Sequence, residues 1–338
     1  MARARRTALT EGEQALVSAM AASGAVGSVM EANDFAVEGA PTRRDEAWRW
    51  SDLRAAITPD LRYPEPDPEA FEDTWIANGD DVIGALAHGF GRRRRSVVRA
   101  GQPVFIVERV GQSGLDAKSR DIVVEPGAEA TCVVLQSGGD IALFSANVIV
   151  QAGGRYRQIA LADGARLARV ETFVDVAGEG ADVELNGVYL CATGRHADLT
   201  SVIEHKVGGG TTRQLIKGVA AKRGRGVFQG KIVVAPHAQK TDARQYHHGI
   251  LLEDGAEIFA KPELMIHADD VQCAHGNTAG GLDETALFYM RSRGLAEAEA
   301  RAMLIEAFLV EAIPEDLEAA IRDELTGRIG AWLREARP

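Results

Sequence analysis

The fold expected from the sequence is mainly β: a right-handed parallel β-helix (β-solenoid) flanked by N-terminal and C-terminal α-helical domains. Three observations predict it. From residue 97 to about 275, short β-branched apolar runs alternate with turn signals. The turns recur at Pro126-Gly127, Gly164, Gly180, His196, His237 and Gly255, and Gly164, Gly180 and His196 stand 16 residues apart. No segment of helical period interrupts them. Such spacing over so long a stretch favours stacked coils, each burying apolar surface only against its neighbours. A β-sandwich is the alternative. The hexapeptide repeat of a left-handed β-helix is not visible, which leaves the right-handed form.

The first domain covers residues 1–75. Thr10-x-x-Glu13 is a capping-box pattern, and Leu16, Val17, Met20, Val26 and Met30 continue an apolar helical face. Gly39-Ala40-Pro41 breaks the helix, after which Trp48, Trp50 and Leu53 pack as a small cap. Four prolines in residues 58–70 mark a linker. The solenoid is assigned to residues 76–278. The basic run Gly91-Arg-Arg-Arg-Arg-Ser96 just before its first strand reads as a solvated loop. Terminal coils expose backbone edges, so the N-terminal segment is expected to cover one end of the solenoid and the tail after Gly281 the other.

That tail, residues 279–338, is helical. Asp283 caps a helix through Arg293, with Gly294 just beyond its end. Residues 296–312 form a second helix, stopped by Pro314. Met303, Leu304, Ile305, Ala307, Phe308, Leu309 and Val310 surround much of its circumference, so it must be buried on more than one side. A third helix carries Leu317, Ile321, Leu325, Ile329 and Leu333 at helical spacing. Docking of a protein partner and simple packing on the solenoid end account for this apolar surface equally well.

Composition narrows the function. A chain of 338 residues with 46% hydrophobic and 26% charged residues is long enough for a large core. A net charge of −11 argues against nucleic-acid binding, which needs a basic face. Three scattered cysteines make no disulfide framework and fit a reducing compartment. No run of about eighteen apolar residues predicts a membrane span, and the basic N-terminus lacks the apolar stretch of a signal peptide. The expected location is the cytoplasm.

Most chemical motifs fail. Val207-Gly-Gly-Gly-Thr-Thr-Arg213 has no lysine and hydroxyl to follow it. In Gly224-Arg-Gly-Val-Phe-Gln-Gly-Lys231, Ile232 stands where a P-loop needs Ser or Thr. Both read as solenoid turns, and this chain is expected to bind no nucleotide. There is no Gly-x-Ser-x-Gly, no His-x-x-x-His and no Cys-x-x-Cys. Cys132 and Cys191 sit in apolar runs and read as buried small hydrophobes. His247 and His248 are adjacent, face opposite ways, and read as surface or turn residues. The informative stretch is residues 240–294, which holds four of the eight histidines. Residues 266–275 read as one strand, placing His267, Asp269, Val271, Cys273 and His275 on one face. Cys273-x-His275 then offers a soft sulfur and an imidazole to one point. Alone, the pair is weak, and ordinary half-buried strand residues are the commoner reading.

The motifs become specific together. Phe228-Gln-Gly-Lys-Ile-Val-Val234, Ala238-Gln-Lys-Thr-Asp-Ala-Arg-Gln245, Asp269-Asp-Val-Gln-Cys-Ala-His-Gly276 and Leu282-Asp-Glu284 followed by Leu287-Phe-Tyr-Met-Arg-Ser-Arg-Gly294 resemble the SufB/SufD family of iron–sulfur cluster assembly scaffolds. Cys-x-His-Gly followed by Phe-Tyr-x-Arg-Ser-Arg-Gly resembles its SufD branch, as does Arg44-Asp-Glu-Ala-Trp-Arg-Trp-Ser-Asp-Leu53. The match is dense from about Gly226 to Phe308. Between 60 and 220 only the solenoid texture carries it.

The resemblance implies a right-handed β-helix with helical flanks. It implies a complex with a SufB-like paralogue, meeting the solenoid end, and a SufC-like ABC ATPase, docking on the C-terminal helices. Phe288, Tyr289, Arg291, Arg293, Leu304 and Phe308 are the partner-binding residues it suggests. It places His275, with Cys273 beside it, at the interface where a transient iron–sulfur cluster forms, and it admits a flavin in the complex and a homodimer of the chain alone. The chain would then be a scaffold subunit, not an enzyme in itself. The rival reading is a stand-alone β-helix enzyme, a metal-assisted lyase or an acyltransferase. A metal-free adaptor is a third.

Overall fold

The computed structural model describes residues 8–22, 26–65, 76 and 81–336. Among these residues, fourteen strands, from β1 (Arg93–Val98) to β14 (Gln272–Gly280), alternate between two seven-stranded sheets. One sheet runs β1, β3 (Leu115–Val124), β5 (Ile141–Val150), β7 (Leu167–Val176), β9 (His196–His205), β11 (Arg225–Val234), β13 (Glu257–Ile266), and the other runs β14, β12 (Asp242–Leu251), β10 (Thr211–Ala220), β8 (Asp182–Cys191), β6 (Arg155–Ala162), β4 (Glu129–Gln136), β2 (Val104–Val110). Every neighbouring pair is parallel and in register, for example β12 (Asp242–Leu251) with β14, which aligns Gln245 with His275. This is a β-solenoid, not a sandwich of antiparallel sheets. The inward residues of both sheets form one continuous core, including Cys132, Phe144, Tyr156, Tyr189, Phe228 and Ile232.

The coils reverse where the chain takes left-handed backbone angles. Gly164 (φ 79°) and Gly180 (φ 68°) sit at the expected places. The turn expected at His196 lies slightly earlier, at Thr193 and Gly194, and His196 opens β9 (His196–His205). Likewise only Gly224 of the Gly224–Lys231 segment is in a turn, because Arg225–Val234 is strand β11. Its glycines serve packing: a β-carbon on Gly226 would lie 2.1 Å from the Tyr189 ring.

Among the described residues, the N-terminal and C-terminal helical segments pack on the flanks of the solenoid, not across its ends as expected. The N-terminal segment forms α1 (Glu11–Ala21), whose Thr10–Glu13 capping box is present, and a separate α2 (Val26–Glu38). The Val26 and Met30 side chains lie outside the described residues, as do residues 66–70 of the linker. Leu16, Met20, Trp48, Leu53 of the short α3 (Leu53–Ala56) and, from α4 (Val82–Gly89), Ile83 and Leu86 pack on the outward residues Leu115, Ala117, Ile141, Leu143 and Leu167 of the first sheet. The C-terminal helices α5 (Glu284–Ser292), α6 (Glu297–Val310) and α7 (Ala319–Ala336) follow Asp283, which caps α5. Ile305, Leu309, Leu325 and Ile329 bury against Val133, Leu135, Ile159, Leu161, Val188 and Leu190 on the outer face of the second sheet. The reason is that the sheets are apolar outside as well as inside. Ile141–Val150 is buried at nearly every position, as strands covered on both faces are. The helices take these flanks, and each solenoid end keeps a strand with a sheet neighbour on one side only.

The arginine run also differs from expectation. Arg93 begins β1, is nearly buried, and pairs with Asp121 at 2.9 Å. A charge brought inside needs such a partner, and the loop reading had none to offer it.

Candidate functional site

Residues 266–275 are not one strand. β13 ends at Ile266, a turn follows, and β14 starts at Gln272. Lys240 N–H donates to the Asp270 carbonyl (2.7 Å) and Asp270 N–H to Gln239 Oε1 (2.8 Å), which ties the turn to the coil behind it. His267, Asp269 and Val271 therefore do not share a strand face with Cys273 and His275.

Cys273 and His275 do share one. They align with Ala243 and Gln245, both buried inside the solenoid, so they face inward on the last coil. Cys273 packs against the interior core and is half-buried, whereas His275 is exposed. Burial, then the nearby Asp242 carboxylate, pushes the Cys273 thiol up, against a backbone N–H from Ala243. The other two thiols are fully buried, and burial raises Cys132 to about 12 and Cys191 higher still. Only Cys273 is placed for chemistry.

Among the described residues, β14 pairs with β12 alone, and β13 (Glu257–Ile266) with β11 alone. The last coil thus presents two free edges, with Met265 and Ile266 more than 40% exposed beside them. Pro262 in β13 agrees with an edge position, since it cannot donate to a further strand. Among the described residues, no group of three or more His, Cys, Asp or Glu side chains is placed to hold a metal. One thiol and one imidazole at an open strand face supply part of a ligand set and leave the rest to be brought by another surface.

The residues suggested for docking lie on the helical flank. Phe288 is 72% and Tyr289 58% exposed. Arg293 donates to Tyr289 Oη (3.0 Å) and stacks over its ring, and Arg291 pairs with Glu297 at 3.3 Å. Leu304 and Phe308 on α6 are half-buried, with Lys217 Nζ 4.3 Å from the Phe308 ring centre.

The fold also brings together groups that the sequence keeps far apart. Ser51 Oγ donates to Asp198 Oδ2 (2.5 Å) and lies 2.8 Å from His196 Nε2. This is not a nucleophile, because Asp198 touches the serine and does not orient the histidine. Ser51 is also wholly buried. The group is a latch: Arg169 donates to Asp198 (2.6 Å) and Glu171 (2.8 Å) and carries Trp48 stacked on its guanidinium at 4.2 Å. His247, read as a surface or turn residue, is instead fully buried in the solenoid core, because it alternates inward with Ala243 and Gln245. His248 faces out and meets Thr278 Oγ1 at 2.8 Å.

Fold and site together define a β-solenoid with helical flanks and an incomplete thiol–imidazole pair on its open terminal coil. Residues 90–308 match the family model described as SUF system FeS cluster assembly, SufBD core domain. The chain belongs to that family of iron–sulfur cluster assembly proteins. It is 35% identical over 170 residues to the iron-sulfur cluster assembly protein SufD of Escherichia coli, covering 50% of this chain and 40% of that protein. An iron-sulfur cluster assembly SufBD family protein of Mycobacterium leprae is 28% identical over 310 residues, 85% of this chain and 76% of its own length. Protein ABCI7 of the Arabidopsis thaliana chloroplast is 34% identical over 184 residues, 54% and 39% of the two chains. The matched stretch thus spans less than half of the E. coli and Arabidopsis proteins. Among the described residues, no helix is long and apolar enough to cross a membrane.

Proposed function

We propose that the chain is one subunit of a cytoplasmic iron–sulfur cluster assembly scaffold, and that its terminal coil supplies half of the site where the cluster forms. The observation that carries this reading is the inward-facing Cys273–His275 pair on β14, a strand whose outer edge is free. A SufB-like paralogue, meeting that edge, supplies the remaining thiolates, since one cysteine and one histidine do not complete a cluster's ligands. His275 gives an imidazole nitrogen to iron. Cys273, held in its thiol form by burial, either releases its proton to solvent as the arriving metal binds its sulfur or simply lines the site. A SufC-like ATPase docks on α5 and α6, where Phe288 and Tyr289 are exposed, and drives the two scaffold subunits relative to each other. The cluster is cargo, made here and passed on.

Co-expression with SufB-like and SufC-like partners, followed by anaerobic iron and sulfide analysis of the purified complex, tests this. His275→Ala is expected to leave assembly of the subunits intact and to cut cluster content about tenfold or more, the usual cost of a lost ligand-shell group. A fully assembled H275A complex with normal iron and sulfide would remove His275 from the site.

A further inference from the structure

The inward face of β14 does not end at His275. Two residues on, Asn277 lies on the same side, about 6.6 Å further along the strand. It aligns with His247 of β12. His247 Nδ1 is 2.7 Å from Asn277 Oδ1, and His247 Nε2 is 2.8 Å from Tyr189 Oη. An amide oxygen only accepts, so Nδ1 carries the proton and Nε2 receives the tyrosine hydroxyl's hydrogen. The line is Tyr189 O–H to His247 to Asn277, every bond directed outward from the core to the open coil.

This line is rigid. His247 stacks on Phe228 at 5.2 Å and 4° and lies near-parallel to Tyr189 at 5.8 Å and 11°. Tyr189 is itself wedged between two glycines. A β-carbon would lie 1.8 Å from its ring at Gly218 and 2.1 Å at Gly226. Burial holds the His247 imidazole neutral, with its pKa down at about 4. The Asn277 carboxamide is therefore fixed by its oxygen, which faces inward, and its NH2 group is the half left for the exposed mouth beside His275. A side-chain amide cannot deprotonate, so it is a donor at any pH.

We propose that Asn277 is a third binding residue of the terminal coil, donating an N–H hydrogen bond to an anionic sulfur held against His275. This rests on the shared-site reading above. Hydrogen bonds to cluster sulfurs hold them and set their electronic properties, and a donor to an anion forms a charge-assisted bond stronger than a neutral one. Two sources present the same chemistry: a sulfide of the cargo, or a thiolate of the partner subunit.

The discriminating variant is Asn277→Asp. It is near in shape and keeps an acceptor for His247 Nδ1–H, but it removes the donors. In the isolated chain, ring nitrogen NMR of His247 is expected to show the Nδ1–H form in both wild type and N277D. In the complex with SufB-like and SufC-like partners, N277D is expected to lose iron and sulfide about tenfold faster than wild type. Loading with selenide in place of sulfide separates the sources. The size of the N277D defect changes if the acceptor is the cargo chalcogen and stays the same if it is the partner's thiolate. Wild-type retention in N277D, with H275A defective, would overturn the role of Asn277 alone. A His247 found in the Nε2–H form would overturn it as well, since the amide would then turn its oxygen outward. If H275A also retains its cluster, the shared-site reading falls and the ligand given to Asn277 falls with it.

Discussion

Lowering the pH from 7.5 to 4.5 is expected to cost wild-type protein about 2.5 kcal/mol more stability than a His205→Gln variant. Three histidines are buried in neutral form. His205 is shifted down to about 4 by burial alone, and His247 and His196 to about 4 by burial first, the latter aided by Arg225, Arg169 and Arg43. In the unfolded chain each returns to the ordinary value near 6.5. Above that pH both states are neutral and these groups add no pH dependence. Between 6.5 and 4 the unfolded state takes up protons that the folded state refuses, so stability falls with pH, and it levels off below 4. Asp81, Asp163 and Glu171, all pushed up by burial, act with the opposite sign in acid. Comparison with H205Q isolates one histidine from this background. Urea unfolding midpoints, read across the range, give the slopes. Equal slopes for the two proteins would mean that His205 is not buried as the solenoid places it.

The second large effect concerns the latch between the N-terminal segment and the solenoid. Arg169→Met is expected to cost about 3–5 kcal/mol, because it strands two carboxylates without their cation. Asp198 is fully buried and Glu171 nearly so, and the arginine also carries Trp48. Neutralising both acids as well, with E171Q and D198N, is expected to recover part of the loss, since the penalty lies in the uncompensated charge. A loss below about 1 kcal/mol would place the pair in solvent. Lys261–Glu46 and Gln229–Ala47 contacts continue the same latch along the segment, so fraying of residues 46–51 should accompany the R169M loss.

The solenoid was legible in the sequence because its coils need two things that residues advertise. Inward positions are mostly apolar at every second residue, as in Tyr156, Ala160 and Ala162 of β6 (Arg155–Ala162), and reversals need glycine in left-handed backbone, as at Gly164 and Gly180. The placement of the helices was not legible. A strand such as Ile141–Val150 is apolar on both faces, and its pattern says that something covers the outside without saying what. Of the candidate site, the shared face of Cys273 and His275 followed from two-residue alternation. The extension of that face back to His267 did not survive, because the break at residues 267–271 is fixed by long-range bonds from Gln239 and Lys240. His247 and Asn277 gave no local signal either. Their partnership spans 30 residues and exists only because β12 and β14 stack in register. Ser51, His196 and Asp198 converge for the same kind of reason, across 145 residues or more.

The proposed function makes the terminal coil half of a site that a partner completes. Alkylation of Cys273 tests it most directly, because Cys132 and Cys191 are fully buried and only Cys273 is within reach of a reagent. With iodoacetamide, one thiol per chain is expected to react in the chain alone, slowly at neutral pH since burial keeps it protonated. On adding the SufB-like partner, that reaction is expected to be suppressed about tenfold or more, with no change for a surface cysteine placed on α7. Equal Cys273 labelling in the assembled complex and in the free chain would mean that no partner surface covers the terminal coil.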